Sequence, residues 1–78
     1  MTNAELTNIL ETATQIRING RKTVYTVVKA SDMGASIVGP RGGHKTIVRN
    51  INSGNLRLIT MAGYRGRAEL VETLEVVA

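Results

Sequence analysis

Cysteine, tryptophan and phenylalanine are absent from this 78-residue chain, which also has only two tyrosines, one proline and one histidine. Without cysteine there can be no disulfide and no thiolate-ligated metal, and a lone His44 cannot form a histidine cluster for zinc. With so few aromatic residues, the core must consist of Val, Ile and Leu, with Met33 and Met61 filling gaps. We therefore expect no metal and no cofactor. The missing cysteines suit a reducing compartment, so we predict a cytoplasmic location.

Long apolar runs and targeting signals are also missing. The N-terminal segment 1–5 has no basic region, and no stretch approaches the roughly 18 apolar residues of a membrane span. This predicts a soluble protein with no membrane contact. A chain of this length buries only about 60% of the surface that its unfolded form exposes. We therefore predict one domain, 1–78, of modest stability.

Positive charge is concentrated in the middle of the chain. Ten basic and six acidic residues give a net charge of +4. All ten basic residues lie within 17–67, where Asp32 is the one acidic residue, so ten minus one gives +9 over that span. Self-repulsion at this density favours an anionic partner. Alternatively, the acidic segments 1–16 and 68–78 fold back and neutralise the middle.

The first fourteen residues have the pattern of an amphipathic helix. Thr2 followed by Glu5 fits a capping box, which satisfies free amides at a helix start. One apolar stripe follows at helical spacing, formed by Leu6, Ile9, Leu10 and Ala13. We predict a helix over 3–14. Asn19-Gly20 is either a helix C-cap or the turn of a hairpin; the β-branched residues before it favour the hairpin.

The remainder, 15–78, has the pattern of short strands separated by turn residues. The predicted strands are 15–18, 21–30, 35–38, 45–51, 56–62 and 68–77. The last is ambiguous with a helix, and its four β-branched residues favour a strand. The fold class is therefore α+β and mainly β: one N-terminal helix, then a small, strongly curved antiparallel sheet or small barrel of five to six strands.

Two glycine-flanked basic loops, 39–43 and 63–67, are the predicted binding site. Glycine lets amides and guanidinium groups converge on one anion. The predicted site residues are Arg41, His44, Lys45, Arg49, Arg57, Tyr64, Arg65 and Arg67. Among these, Arg49 and Arg57 lie on adjoining strands, and Tyr64 is a candidate for stacking on a base. Alternatively, the glycines only form turns and the arginines only keep the loops soluble.

The sequence contains no complete catalytic motif. Residues 39–46 approach the phosphate-loop pattern G-x-x-x-x-G-K-[ST], but His44 replaces its last glycine and a strand follows where the motif needs a helix. Five of the six carboxylates lie in the terminal segments, away from the basic loops, and no serine has an orienting acid nearby. We predict that the protein is not an enzyme.

The leading functional hypothesis is a basic binding module for a phosphate-rich partner, most naturally DNA or RNA bound through its backbone. A second hypothesis is a small inhibitor or interaction protein that binds another protein, since the chain resembles phage accessory proteins in size and in its lack of catalytic residues. A third is capture of a small nucleotide by the glycine-arginine loops. The sequence leaves monomer and homodimer equally open.

Overall fold

A computed structural model describes residues 1–60 and 67–78 of the chain. The helix and the seven strands in these ranges are α1 (Asn3–Thr12), β1 (Gln15–Ile18), β2 (Tyr25–Ser31), β3 (Gly34–Val38), β4 (His44–Arg49), β5 (Leu56–Thr60), β6 (Arg67–Leu70) and β7 (Leu74–Val76). The strands form one antiparallel sheet in the order β6-β5-β4-β3-β2-β1-β7. The predicted architecture, one helix followed by a curved antiparallel sheet, is confirmed.

The strand count is higher than the five or six predicted, because the segment 68–77 contributes two strands. It is extended, as predicted, but it bends after Leu70 and crosses to the opposite edge of the sheet. Val71 and Leu74 are both buried. A straight strand cannot bury both, because residues three apart point to opposite faces. The bend at 71–73 therefore divides the apolar segment into β6 and β7.

The N-terminal helix starts as the sequence predicts. The Thr2 hydroxyl accepts a hydrogen bond from the Glu5 amide at 3.1 Å, and the Glu5 carboxylate accepts one from the Thr2 amide at 3.0 Å. Leu6 and Leu10 are fully buried against the sheet. The helix ends at Thr12, two residues earlier than predicted, because the chain becomes extended at Ala13 to enter β1. Within the described ranges, no helix is long and apolar enough to cross a bilayer.

The predicted turn at Asn19-Gly20 is present. Both residues have positive φ, 52° and 73°, and the Arg21 amide donates to the Ile18 carbonyl at 3.0 Å. The second strand begins only at Tyr25, which pairs with Ile16, so residues 21–24 form a longer connection than the predicted hairpin. This connection lies beside the candidate site.

The core fills the concave face of the curled sheet. Its buried side chains are Leu6, Leu10, Ile16, Ile18, Tyr25, Ala35, Ile37, Ile47, Leu56, Leu58, Val71 and Leu74. The helix covers the end of this face near the β4–β5 loop, where the Asn3 side chain donates to that of Asn55 at 3.2 Å. The β3–β4 loop lies at the opposite end, away from the helix.

One asparagine side chain joins the two terminal strands of the sheet. The Asn19 amide nitrogen donates to the Glu69 carboxylate and to the Leu70 carbonyl, both at 2.9 Å. Its oxygen accepts from the amides of Glu72 at 2.8 Å and Thr73 at 3.1 Å. A single residue of the β1–β2 turn therefore holds the end of β6 and the connection that leads from β6 into β7.

Candidate anion-binding cleft

The loop 39–43 is a tight glycine-rich connection between β3 and β4. The Gly39 amide donates to the Gly43 carbonyl at 2.9 Å, and the Gly42 amide donates to the Gly39 carbonyl at 3.0 Å. Gly42 has φ +81°, which favours glycine. Gly39 packs over the ring of Tyr25, where an added Cβ would lie 3.5 Å from the ring. This geometry projects Arg41 from the tip of the loop into solvent.

A cleft of about 380 Å³ lies between this loop and the start of β2. Its walls are formed by Thr23, Tyr25, Gly39, Pro40, Arg41, Gly43 and Lys45. The Lys45 ammonium donates to the Tyr25 hydroxyl at 3.0 Å and is 5.3 Å from the ring centroid. A group bonded to the phenolic oxygen sits at the rim of the ring, so this contact is a hydrogen bond rather than a cation–π interaction. Among the described residues, the Tyr25 hydroxyl accepts this hydrogen bond and donates none.

The two cations of the cleft have no carboxylate partner. Among the described residues, the ion pairs are Arg17–Glu75, at 3.2 Å, and Arg21–Glu69. All six carboxylate side chains of the chain lie within the described ranges, so residues 61–66 cannot supply another. The acidic C-terminal segment thus neutralises two arginines, as the alternative interpretation of the charge pattern expected, but it leaves Arg41 and Lys45 unpaired.

The Glu69 carboxylate is close enough to the cleft for its charge to interact with that of Lys45. The hydrogen bond from Asn19 lowers the pKa of this carboxyl most, the hydrogen bond from Arg21 lowers it further, and the positive charge of Lys45 acts in the same direction. Glu69 is therefore ionised at neutral pH. Because Asn19 and Arg21 hold its oxygens, it does not form an ion pair with Lys45.

Thr60 and Arg67, the described residues on either side of 61–66, lie at the same end of the sheet as the cleft. Thr60 pairs with Arg67, and Ile59 pairs with Thr46, next to Lys45. Arg67 is exposed there. Tyr64 and Arg65, both predicted site residues, lie outside the described residues, so their assignment stays a prediction.

His44 lies beside the cleft but on the other face of its strand. Alternate residues of β4 point to opposite faces, and Ile47 on the Lys45 face is buried. His44 is accordingly on the outer face and exposed.

Arg49 is at the far end of β4, and its guanidinium is engaged within the protein. It donates to the Asp32 carbonyl at 2.6 Å, to the Gly54 carbonyl at 3.1 Å, and to the Thr7 hydroxyl. These contacts connect two turns to the helix. The structure therefore does not bring Arg49 together with the cleft.

Arg57 is on the outer face of the sheet, away from the cleft. It is exposed and pairs with Val48 on one side and Leu70 on the other. Of the eight predicted site residues, the structure places Arg41 and Lys45 in one cleft and His44 and Arg67 near it.

Sequence reasoning missed Thr23 and Tyr25 as cleft residues. Tyr25 belongs to a segment whose pattern indicates a strand, and a strand pattern does not reveal which residue lies opposite. The one available signal was chemical: a tyrosine within an apolar strand brings a hydroxyl that needs a partner.

The described residues contain no group of three or more His, Asp or Glu side chains that could hold a metal ion. The chemistry that remains at the cleft is that of cations and hydrogen-bond donors, which suits an anion. No protein-family model matches the chain, and no curated protein or solved structure is significantly similar to it.

Proposed function

We propose that this protein is a non-enzymatic module that binds phosphate-rich partners, most naturally DNA or RNA through the backbone. The observation that carries the proposal is the cleft at the β3–β4 loop, where Arg41 and Lys45 face a common space without a carboxylate partner. Lys22, next to Thr23 of the cleft wall, and Arg67 are both exposed near it. These four residues, Lys22, Arg41, Lys45 and Arg67, are here called the basic end.

The outer face of the sheet is a weaker candidate for the same partner. Arg17 is paired with Glu75, which leaves Lys29 and Arg57 exposed on that face. Lys29 is on β2 and Arg57 on β5, so two strands separate them. Affinity for a phosphate backbone increases when several cations lie close enough together to contact neighbouring phosphates. The basic end provides that proximity, and the outer face does not.

The basic end predicts how binding depends on salt. Each phosphate neutralised on duplex DNA contributes about −0.9 to the slope of log affinity against log salt, so four contacts give about −3.6. Affinity should then fall about 150-fold between about 50 mM and about 200 mM salt. Because these contacts do not touch base edges, the affinity should be similar for different sequences.

The test is fluorescence anisotropy with labelled duplex DNA and RNA hairpins over that salt range. The double variant Arg41→Gln, Lys45→Gln removes two charges and keeps polar side chains of similar length. We expect it to weaken binding equally on all sequences and to reduce the salt slope by about 1.8, which is two contacts.

The matched control is Lys29→Gln with Arg57→Gln, which removes the same charge from the outer face. We expect wild-type affinity and slope. Equal losses in the two double variants would show that binding depends on net charge alone and would contradict the site.

A second candidate function, binding to another protein, is favoured by apolar exposure on the outer face. Val48 and Leu70 flank Arg57 on adjacent strands, and these two residues are 42% and 40% exposed. Exposed apolar area beside an arginine fits the core of a protein interface, which is more apolar than the remaining surface and enriched in arginine. A partner that is retained after nuclease treatment, and lost in Val48→Thr with Leu70→Thr, would support this candidate over nucleic acid.

A further inference from the structure

The cleft differs from a flat basic surface because one of its cations is recessed. Lys45 is half-buried, and its hydrogen-bond partner Tyr25 is 5% exposed. Arg41 is exposed at the rim, at the tip of the glycine loop. A phosphate must therefore enter the cleft to contact the Lys45 ammonium and the Tyr25 hydroxyl together, whereas Arg41 can close on it from outside.

An internal backbone phosphate can approach the mouth of the cleft, within reach of the charges of Arg41 and Lys45. It is bonded to a sugar on both sides, so two nucleotides would have to enter for it to reach the base of the cleft. A terminal phosphate is bonded to one sugar only. The cleft, at about 380 Å³, lies within the size range of pockets that hold one small ligand. It can accommodate a phosphate and its sugar.

The charges of the cleft also match a terminal phosphate. A phosphate monoester carries about −1.5 to −2 charges at neutral pH and has three acceptor oxygens, whereas an internal diester carries one charge. Arg41 and Lys45 supply two positive charges, and Arg41 can form a bidentate contact. The Tyr25 hydroxyl adds a neutral donor at the base of the cleft.

We infer that this cleft binds a terminal phosphate monoester, carried by the end of a nucleic-acid strand or by a free mononucleotide. Lys45 and Tyr25 form the deep contacts and Arg41 the contact at the rim. The inference rests on the proposed function, and it adds that the protein distinguishes a phosphorylated strand end from a hydroxyl end.

The experiment compares three single-stranded oligonucleotides of one sequence, with an internal fluorophore and a 5′-phosphate, a 3′-phosphate or no terminal phosphate. We expect one phosphorylated form to bind wild-type protein at least about tenfold tighter than the unphosphorylated form. Lys45→Met removes the ammonium and keeps the aliphatic chain, and it should reduce this preference to about twofold or less. Arg41→Gln should also reduce this preference, and because Arg41 is exposed at the loop tip we expect the variant to fold like wild type.

Arg67→Met is the matched control, since it removes one positive charge at the same end but outside the cleft. It should weaken binding of all three oligonucleotides by the same factor and leave their ratio unchanged. A nucleoside monophosphate, but not the nucleoside, should compete with the phosphorylated oligonucleotide for wild-type protein. Such competition would show that the protein recognises the phosphate monoester itself and does not require the rest of the strand.

The two proposals fail in different ways. Equal, salt-dependent binding of all three oligonucleotides would overturn the inference and leave the proposed function intact. Failure of every single-stranded oligonucleotide, and of the duplex DNA and RNA hairpins, to bind would contradict the proposed function. Thermal unfolding with a nucleoside monophosphate would then test monoester binding in the cleft separately. A rise in Tm that Lys45→Met abolishes would support the inference, and no rise would overturn it.

Discussion

Arg49 should be a stability residue rather than a binding residue, and Arg49→Met separates the two roles. The guanidinium donates to the carbonyl groups of Asp32 and Gly54 and to the hydroxyl of Thr7. Methionine keeps most of the side chain's apolar volume. The substitution therefore removes three hydrogen bonds that hold the helix to the β2–β3 turn and the β4–β5 loop, with little change in packing.

The expected loss is about 2–4 kcal/mol of unfolding free energy. A hydrogen bond from a charged donor contributes about 1.5–3 kcal/mol, and three on one side chain are not additive. A domain of this length has a total stability of about 4–12 kcal/mol. Each kcal/mol lowers the Tm of such a domain by about 4–8 °C, so we expect a fall of at least about 8 °C.

Urea unfolding followed by circular dichroism measures the loss, with Arg57→Met as control. Arg57 is one strand away, exposed, and makes no ion pair among the described residues. We expect the control to stay within about 0.5 kcal/mol of wild type. If Arg49→Met is as stable as Arg57→Met, the three hydrogen bonds do not hold the helix in place. If folded Arg49→Met loses the phosphate-end preference, Arg49 belongs to the site after all.

Three further predictions test the fold. Gly34→Ala places a Cβ 1.9 Å from the Ile47 carbonyl oxygen at φ +142°, so it should cost at least about 3 kcal/mol or prevent folding, whereas Gly43→Ala, with open space around it, should have little effect on Tm. Asn19→Ala should cost about 2–4 kcal/mol in urea unfolding, and Asn19→Gly about 1 kcal/mol less because glycine tolerates the φ of 52°. The lowered pKa of Glu69 stabilises the fold above the unfolded-state pKa, and this contribution is lost as pH falls through the folded-state pKa. Wild type should therefore lose more stability than Glu69→Gln between about pH 5 and about pH 3, and parallel acid titrations of the two would contradict the Asn19 and Arg21 contacts.

The local elements of the fold could be predicted from the sequence because their signals are local. The capping box joins Thr2 and Glu5, three residues apart, and the apolar stripe of the helix repeats within two turns. The turn at Asn19-Gly20 likewise depends on two adjacent residues that tolerate positive φ. Each signal was complete within a few residues, and each element is present.

The parts that could not be predicted depend on register. Tyr25 and Lys45 are 20 positions apart in the chain and contact each other across β3, which lies between their strands. The alternation of side chains along a strand predicts which face each residue is on, but it does not predict which residue lies beside it two strands away. The sequence does not distinguish Arg49 from Arg41, because both side chains carry the same charge. Only the position of the helix shows that the Arg49 guanidinium is hydrogen-bonded within the protein. The split of 68–77 was hidden for the same reason, since the destination of β7 beside β1 is a long-range pairing.

Asn19 has a further consequence for how this chain behaves among its own copies. Strands at the edge of a sheet expose unpaired amides and carbonyls that invite other chains, and they are a common origin of aggregation and domain swapping. Of the described strands, β6 and β7 lie at the two edges of the sheet, and the Asn19 side chain bonds to β6 and to the segment that leads into β7. We expect its loss to free strand edges as well as lower stability, so that Asn19→Ala forms concentration-dependent oligomers in light scattering. One side-chain amide would then protect the chain's solubility as well as its shape.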